Sequence, residues 1–102
     1  MKLVSLMESP RKGKKWRALF SDGTTTDFGA SAYDDYTQHG SEKRRALYRS
    51  RHWKDLKTGD PKKAGYLSMY ILWNKPTLAA SVRDYKRRLA IYAKTGHFPI
   101  SF

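Results

Sequence analysis

One stretch governs what this chain can become. After Lys63 the residues run almost entirely apolar to Trp73, with Asp60-Pro61 on one side and Asn74-Lys75-Pro76 on the other. A chain of 102 residues has room for one domain and one modest core. An apolar segment of helical length therefore has to lie at the centre of that core. Asp60 is a capping residue, and Pro61 suits the first helical position, where its missing N–H is no loss. The spacing predicts a helix over residues 61–73, stopped by Asn74-Lys75-Pro76.

The segments around it supply surfaces to pack on it. Lys2 to Glu8 reads as a short strand, and Ser9-Pro10-Arg11-Lys12-Gly13 as a turn. Lys14 to Phe20 alternates, with Trp16, Ala18 and Phe20 on one face. Ser21-Asp22-Gly23 offers a turn, and Thr24 to Phe28 is β-branched and then aromatic. A three-residue loop pairs Trp16 with Phe28 and Arg17 with Asp27, which satisfies both faces of the hairpin; a two-residue loop sets Arg17 against Phe28. Ala30 to Gly40 reads as loop or a single helical turn. Ser41 caps a predicted helix from Glu42 to about Trp53, with Ala46 and Leu47 turned inward. Thr77 caps a last helix whose Leu78, Val82, Tyr85, Leu89 and Tyr92 form one apolar stripe, ended by Gly96. The apolar tail, His97 to Phe102, is expected to pack back. The fold class is α+β in a single domain over residues 1–102: a β-meander of about three strands over residues 1–29, then helices over 41–53, 61–73 and 78–95.

Charge says more about partners than about fold. The chain has 21 Lys and Arg against 9 Asp and Glu, a formal net of +12. Such an excess repels itself in a compact chain and points to an acidic partner, nucleic-acid phosphates first. With 39% apolar residues, seven Tyr, three Trp and four Phe, the chain is not of disordered composition. The bases are segregated: residues 18–42 hold five acids and no base, whereas residues 43–102 hold fifteen bases and three acids. No apolar run has the length of a membrane-spanning helix, and the apolar start is too short for a secretory signal. The absence of Cys excludes a disulfide framework and a thiolate metal site, and fits an intracellular setting or the interior of a particle.

Three features are candidates for binding. Lys43-Arg44-Arg45 with Arg49 and Arg51 is the densest basic cluster, and arginine is the residue for bidentate phosphate contact; the competing reading is a solvated helix face. Lys14, Lys15 and Arg17, at a strand start, could grip a backbone groove. Trp53, at a helix end among charges, is the aromatic best placed to stack on an exposed base, whereas Trp16 and Tyr48 read as core. Arg83, Lys86, Arg87, Arg88 and Lys94 read as the outer face of the last helix.

For catalysis the best constellation is Asp34, Asp35 and His39, with His52 further on, which could hold Mg²⁺ for phosphodiester cleavage. Adjacent acids point apart, however, and no Gly-rich phosphate loop, paired-His zinc spacing or nucleophile elbow is present. The expectation is a non-enzymatic protein with no cofactor, no bound metal and no small-molecule substrate.

Two stretches carry a resemblance: Phe20-Ser21-Asp22-Gly23-Thr24-Thr25-Thr26-Asp27-Phe28-Gly29-Ala30 through Tyr33 to His39, and Ala64-Gly65-Tyr66 through Leu72-Trp73-Asn74-Lys75-Pro76-Thr77-Leu78. With Arg51-His52 between them, they resemble an uncharacterised family of short basic proteins of nucleocytoplasmic large DNA viruses of algae and amoebae. The resemblance implies a virion component, present in the host cell interior during assembly, and supplies no catalytic residues. Its expected partner is packaged nucleic acid, bound non-specifically, or acidic viral capsid proteins if the chain is a minor capsid or cement protein.

Overall fold

The computed structural model describes residues 1–102. Three strands, β1 (Leu3–Glu8), β2 (Lys14–Phe20) and β3 (Thr25–Ala30), form an antiparallel sheet in the order β1-β2-β3. The β2–β3 hairpin closes through Ser21-Asp22-Gly23: the Phe20 N–H donates to Thr24 O at 3.0 Å, and Gly23 takes φ +86°. That conformation is open to glycine and strained for other residues. Trp16 stands opposite Phe28 and Arg17 opposite Asp27, the register in which both faces are satisfied. Ala18, Phe20 and Phe28 are buried beneath the sheet.

The helical part follows. α1 (Tyr36–His39) is a single turn, α2 (Glu42–His52) runs on as a 3₁₀ segment (Trp53–Thr58), and α3 (Ala64–Leu67) runs on as a π-helix (Ser68–Leu72). α4 (Leu78–Thr95) is capped by the Thr77 hydroxyl and ends at Gly96. The α3–π segment is the centre of the core. Tyr66, Leu67, Met69, Tyr70, Ile71 and Leu72 are all buried, and the segment packs on β3 and on α4. From α4, Tyr85 and Leu89 are buried against it, while Leu78, Val82 and Tyr92 are half-buried at its margin. The tail returns: the Phe98 ring lies 5.0–5.7 Å from the rings of Tyr66, Tyr70 and Tyr85. No helix is long and apolar enough to cross a membrane.

Two expectations change. Asp60-Pro61 does not begin the central helix. The Asp60 carboxylate accepts from the Lys62 N–H at 3.0 Å, but Lys63 is extended and the helix starts at Ala64. The intervening turn is held from outside. Lys62 O accepts from the Thr26 hydroxyl at 2.8 Å, and Pro61 O accepts from the buried Tyr85 hydroxyl at 2.7 Å. Second, Ala46 and Leu47 do not face inward. Both are exposed, Leu47 to 48%, and the side of α2 that meets the core carries Arg45, Tyr48, Arg49 and His52.

The π-helix shapes its neighbourhood. The Trp73 N–H donates to Ser68 O, five residues back, at 3.2 Å. At Gly29 the positive φ (+82°) is strained for other residues, and a Cβ there would lie 2.8 Å from Leu72 Cδ1, so a larger residue would have to displace the Leu72 side chain. Single π turns inside helices are uncommon and often sit at functional sites.

Candidate functional site

A helix that ends in the core leaves carbonyls without partners. Trp73 O, at the cap, and Asn74 O, just after it, stand at that end, and α2 supplies their donors. Arg45 Nη1 donates to Asn74 O at 3.0 Å, Arg49 Nε to Trp73 O at 3.1 Å, and Arg49 Nη2 to Asn74 O at 3.2 Å. Each guanidinium also covers a ring: Arg45 lies 4.6 Å from the Tyr36 centroid and Arg49 3.3 Å from that of Phe102. Burial, and then the neighbouring Arg45, bring the Arg49 guanidinium down to about 10, still charged at neutral pH. Positive charge at a helix C-terminus also suits its dipole. These two arginines, singled out in the sequence as phosphate ligands, hold the end of the central helix instead.

Two of the three bases on β2 are engaged as well. Lys15 Nζ lies 2.6 Å from Asp35 Oδ2 and 2.7 Å from Gln38 Oε1. Arg17 makes a forked contact to Asp27, at 2.9 and 3.0 Å, and its hydrogen bonds hold that carboxyl below the usual range. Lys14 is half-buried with no side-chain partner within hydrogen-bond reach. Across the molecule, six of the 21 Lys and Arg side chains lie within 4 Å of a carboxylate, and the other fifteen do not.

The unengaged members of the α2 cluster share its outer side. Lys43, Arg44 and Arg51 are exposed and have no carboxylate partner; Lys54 continues the row. Arg44 and Arg51 are seven residues apart, close to two turns, so they rise from one face about 10 Å apart. Between them and the loop that joins β3 to α1 lies a cleft of about 570 Å³. Arg44, Leu47 and Arg51 form one wall, Tyr33 and Asp34 the other, and Leu72, Trp73 and Gly29 contribute to the floor. Tyr48 also lines it, stacked on Trp73 at 4.3 Å and on His52 at 4.2 Å. Burial raises the Tyr48 phenol to about 12, so it stays neutral. Trp53 lies outside the cleft, 42% exposed, its ring 6.4 Å from that of Phe102.

The acidic constellation does not gather. Asp35 caps α1, accepting from the Thr37 N–H at 2.9 Å while it pairs with Lys15. His39 Nδ1 accepts from the Ser41 N–H at 2.9 Å, which places the ring proton on Nε2, a buried atom without a partner. Burial, then Arg44, lowers the His39 pKa, so the ring is neutral. No group of three His, Asp or Glu side chains surrounds a common point. Asp34 lines the cleft, exposed and without a salt-bridge partner. The sequence pattern does not reveal the cleft as such, because Tyr33 and Asp34 meet α2 only through the fold; the free bases at i and i+7 are its one visible sign.

No curated protein and no solved structure matches the chain. Residues 4–52, which carry most of the sheet, α1 and all of α2 but none of the central helix, are similar to a family of unknown function (DUF5754).

Proposed function

We propose that this is a non-enzymatic basic protein that binds nucleic acid mainly through phosphates, associated with the virion of a large DNA virus. The observation that carries the binding is the outer side of α2. Lys43, Arg44 and Arg51 stand exposed there without carboxylate partners, in a molecule of net charge +12 where five of the nine acids are paired with other Lys or Arg side chains. Bases left without partners on one face release counterions when they meet phosphates, and that release drives association. The virion setting rests on the resemblance of Phe20–Ala30 and Leu72–Leu78 to short basic proteins of such viruses. The chain then works in the particle and, during assembly, in the host cell interior. The site is Lys43, Arg44 and Arg51. Arg45 and Arg49 fix α2 to the end of the central helix, and Lys15 holds the β3–α1 loop through Asp35.

The test is duplex DNA affinity across a salt series for the wild type and the Arg44→Ala/Arg51→Ala variant. Removing one phosphate-binding base is expected to lower the salt slope by about 0.9, so removing the pair lowers it by about 1.8. Unrelated sequences are expected to suffer equally, because phosphate contacts do not read bases. Millimolar binding by the wild type, or an unchanged slope, refutes the reading and moves the lead to an acidic capsid protein as partner.

A further inference from the structure

The cleft beside α2 is more than a place for phosphates. A surface that only tracked a backbone needs bases on a convex or shallow face, and Lys43, Arg44 and Arg51 already provide one. The cleft adds three things such a surface does not need. Tyr33 lines it 73% exposed, with no ring or cation packed on its face. Asp34, on the same wall, is a carboxylate with no base within 4 Å, set across from two guanidiniums in the same state. Its lining includes the apolar Leu72 and the Trp73 ring, stacked on Tyr48 beside the π-helix.

These requirements select a ligand. A bare polyanion gains nothing from Tyr33 and is repelled by Asp34. An acidic peptide is repelled by Asp34 too and brings a flat face only where an aromatic residue stands among its acids. A nucleotide with its base exposed has a flat face for Tyr33, N–H groups that a carboxylate can accept, and phosphates on both sides for Arg44 and Arg51. The volume, about 570 Å³, is in the usual range for a site that holds one small ligand, and a duplex cannot enter it without extruding a base.

We propose that the cleft between α2 and the β3–α1 loop takes one unpaired nucleotide of a single strand, its base on Tyr33, its base N–H groups toward Asp34 and its flanking phosphates on Arg44 and Arg51. This inference rests on the nucleic-acid reading above and sharpens it: the protein discriminates single strands from duplex, and does so through the base and not through charge.

The experiment compares three probes on the full chain by fluorescence anisotropy. They are a cytosine-only strand of about twelve nucleotides, an abasic strand of the same length, and a duplex of the same length. For the wild type, the cytosine strand is expected to bind about tenfold more tightly than the abasic strand, the gain from one stacked base. Tyr33→Ala is expected to remove most of that difference and to change duplex affinity less than about twofold, since it removes no charge. Tyr33 is exposed, so the variant is expected to keep its thermal midpoint; Tyr33→Phe is expected to keep the preference. Equal binding of cytosine and abasic strands by the wild type overturns the inference and leaves phosphate binding standing. A Tyr33→Ala variant that keeps the full preference overturns it as well, because the base then sits elsewhere. Failure of every probe to bind overturns the inference together with the reading beneath it.

Discussion

Arg44 and Arg45 are adjacent in the chain, of one residue type, and on one short helix, yet they belong to different parts of the molecule. Arg45, with Arg49 one turn on, is turned toward the core and spends its donors on Trp73 O and Asn74 O. Arg44, with Arg51 two turns on, is turned to solvent and spends its donors on nothing within the chain. The difference lies in what the helix packs against. α2 covers little aliphatic surface; it covers the backbone carbonyls that follow another helix and the rings of Tyr36, Trp73 and Phe102. Its inner stripe is therefore made of donors and aromatics, and the aliphatic Leu47 is left outside. A basic cluster read as one unit is in fact two, and only one of them is free to meet a partner.

The same division can be pushed hardest in α4, where Arg87 is outward and Arg88 inward. Arg88 is 4% exposed and donates to Asp84 at 2.7 Å, to Pro99 O at 2.6 Å and to Ser101 O at 2.7 Å. Although burial alone would raise the Asp84 pKa, hydrogen bonds from Arg88, Asn74 and Arg87 hold it at about 2. Arg88→Ala leaves that carboxylate and two carbonyls short of a donor, and a loss of about 3–5 kcal/mol in urea unfolding is expected. A loss near that of Arg87→Ala would break the distinction between inward and outward arginines in this helix.

In α2 itself, Arg45→Ala/Arg49→Ala is expected to lower stability by about 2–3 kcal/mol, because charged donors to two carbonyls are removed together. The salt slope of DNA binding, measured on the fraction that remains folded, is expected to stay as in the wild type. A reduced slope with normal stability would reverse the assignment of the two faces.

His39 sharpens the comparison by pH. Its folded pKa is depressed, first by burial and then by Arg44. The unfolded chain therefore takes up a proton more readily, and His39's contribution is present above its unfolded pKa of about 6.5 and is lost as pH falls. The urea midpoint of the wild type is expected to drop from about pH 7.5 to about pH 5 by more than that of His39→Gln. In Arg44→Ala the drop is expected to shrink, since one of the charges opposing protonation is gone; an unchanged drop would mean that Arg44 does not act on His39.

The smallest effect is the most telling. Arg44→Ala/Arg51→Ala is expected to leave stability within about 0.5 kcal/mol of the wild type by urea unfolding, as exposed substitutions do. A larger loss would mean that the outer face is also built into the fold.

Features that depend on near neighbours are legible in the sequence. The hairpin register follows from two facing requirements, Trp16 on Phe28 and Arg17 on Asp27, that only one loop length meets. The α4 stripe and its caps are local, and the helix runs from Leu78 to Thr95 as its pattern says. What escapes such a reading depends on distant partners. The Asp60-Pro61 turn looks like a helix start, but its carbonyls are claimed by Thr26 and Tyr85, 36 and 24 residues away. Arg45 and Arg49 find their acceptors 24 to 29 residues on, at carbonyls that every helix end possesses and no sequence marks. One hint is present: Arg45, Tyr48, Arg49 and His52 share a helical stripe, opposite Leu47, with no aliphatic residue among them.

The π-helix makes the length of the central segment matter more than its composition. Each residue added to or removed from a helix turns everything beyond it by about 100°. Removing one residue while the π turn is kept would swing Trp73 and Asn74 by that angle, away from the arginines of α2. The Tyr48–Trp73 stack and the floor beneath Arg44 and Arg51 would go with them. Side chains here can be exchanged for others of like volume, but descendants of this chain are constrained to keep the count of residues between Ala64 and Asn74.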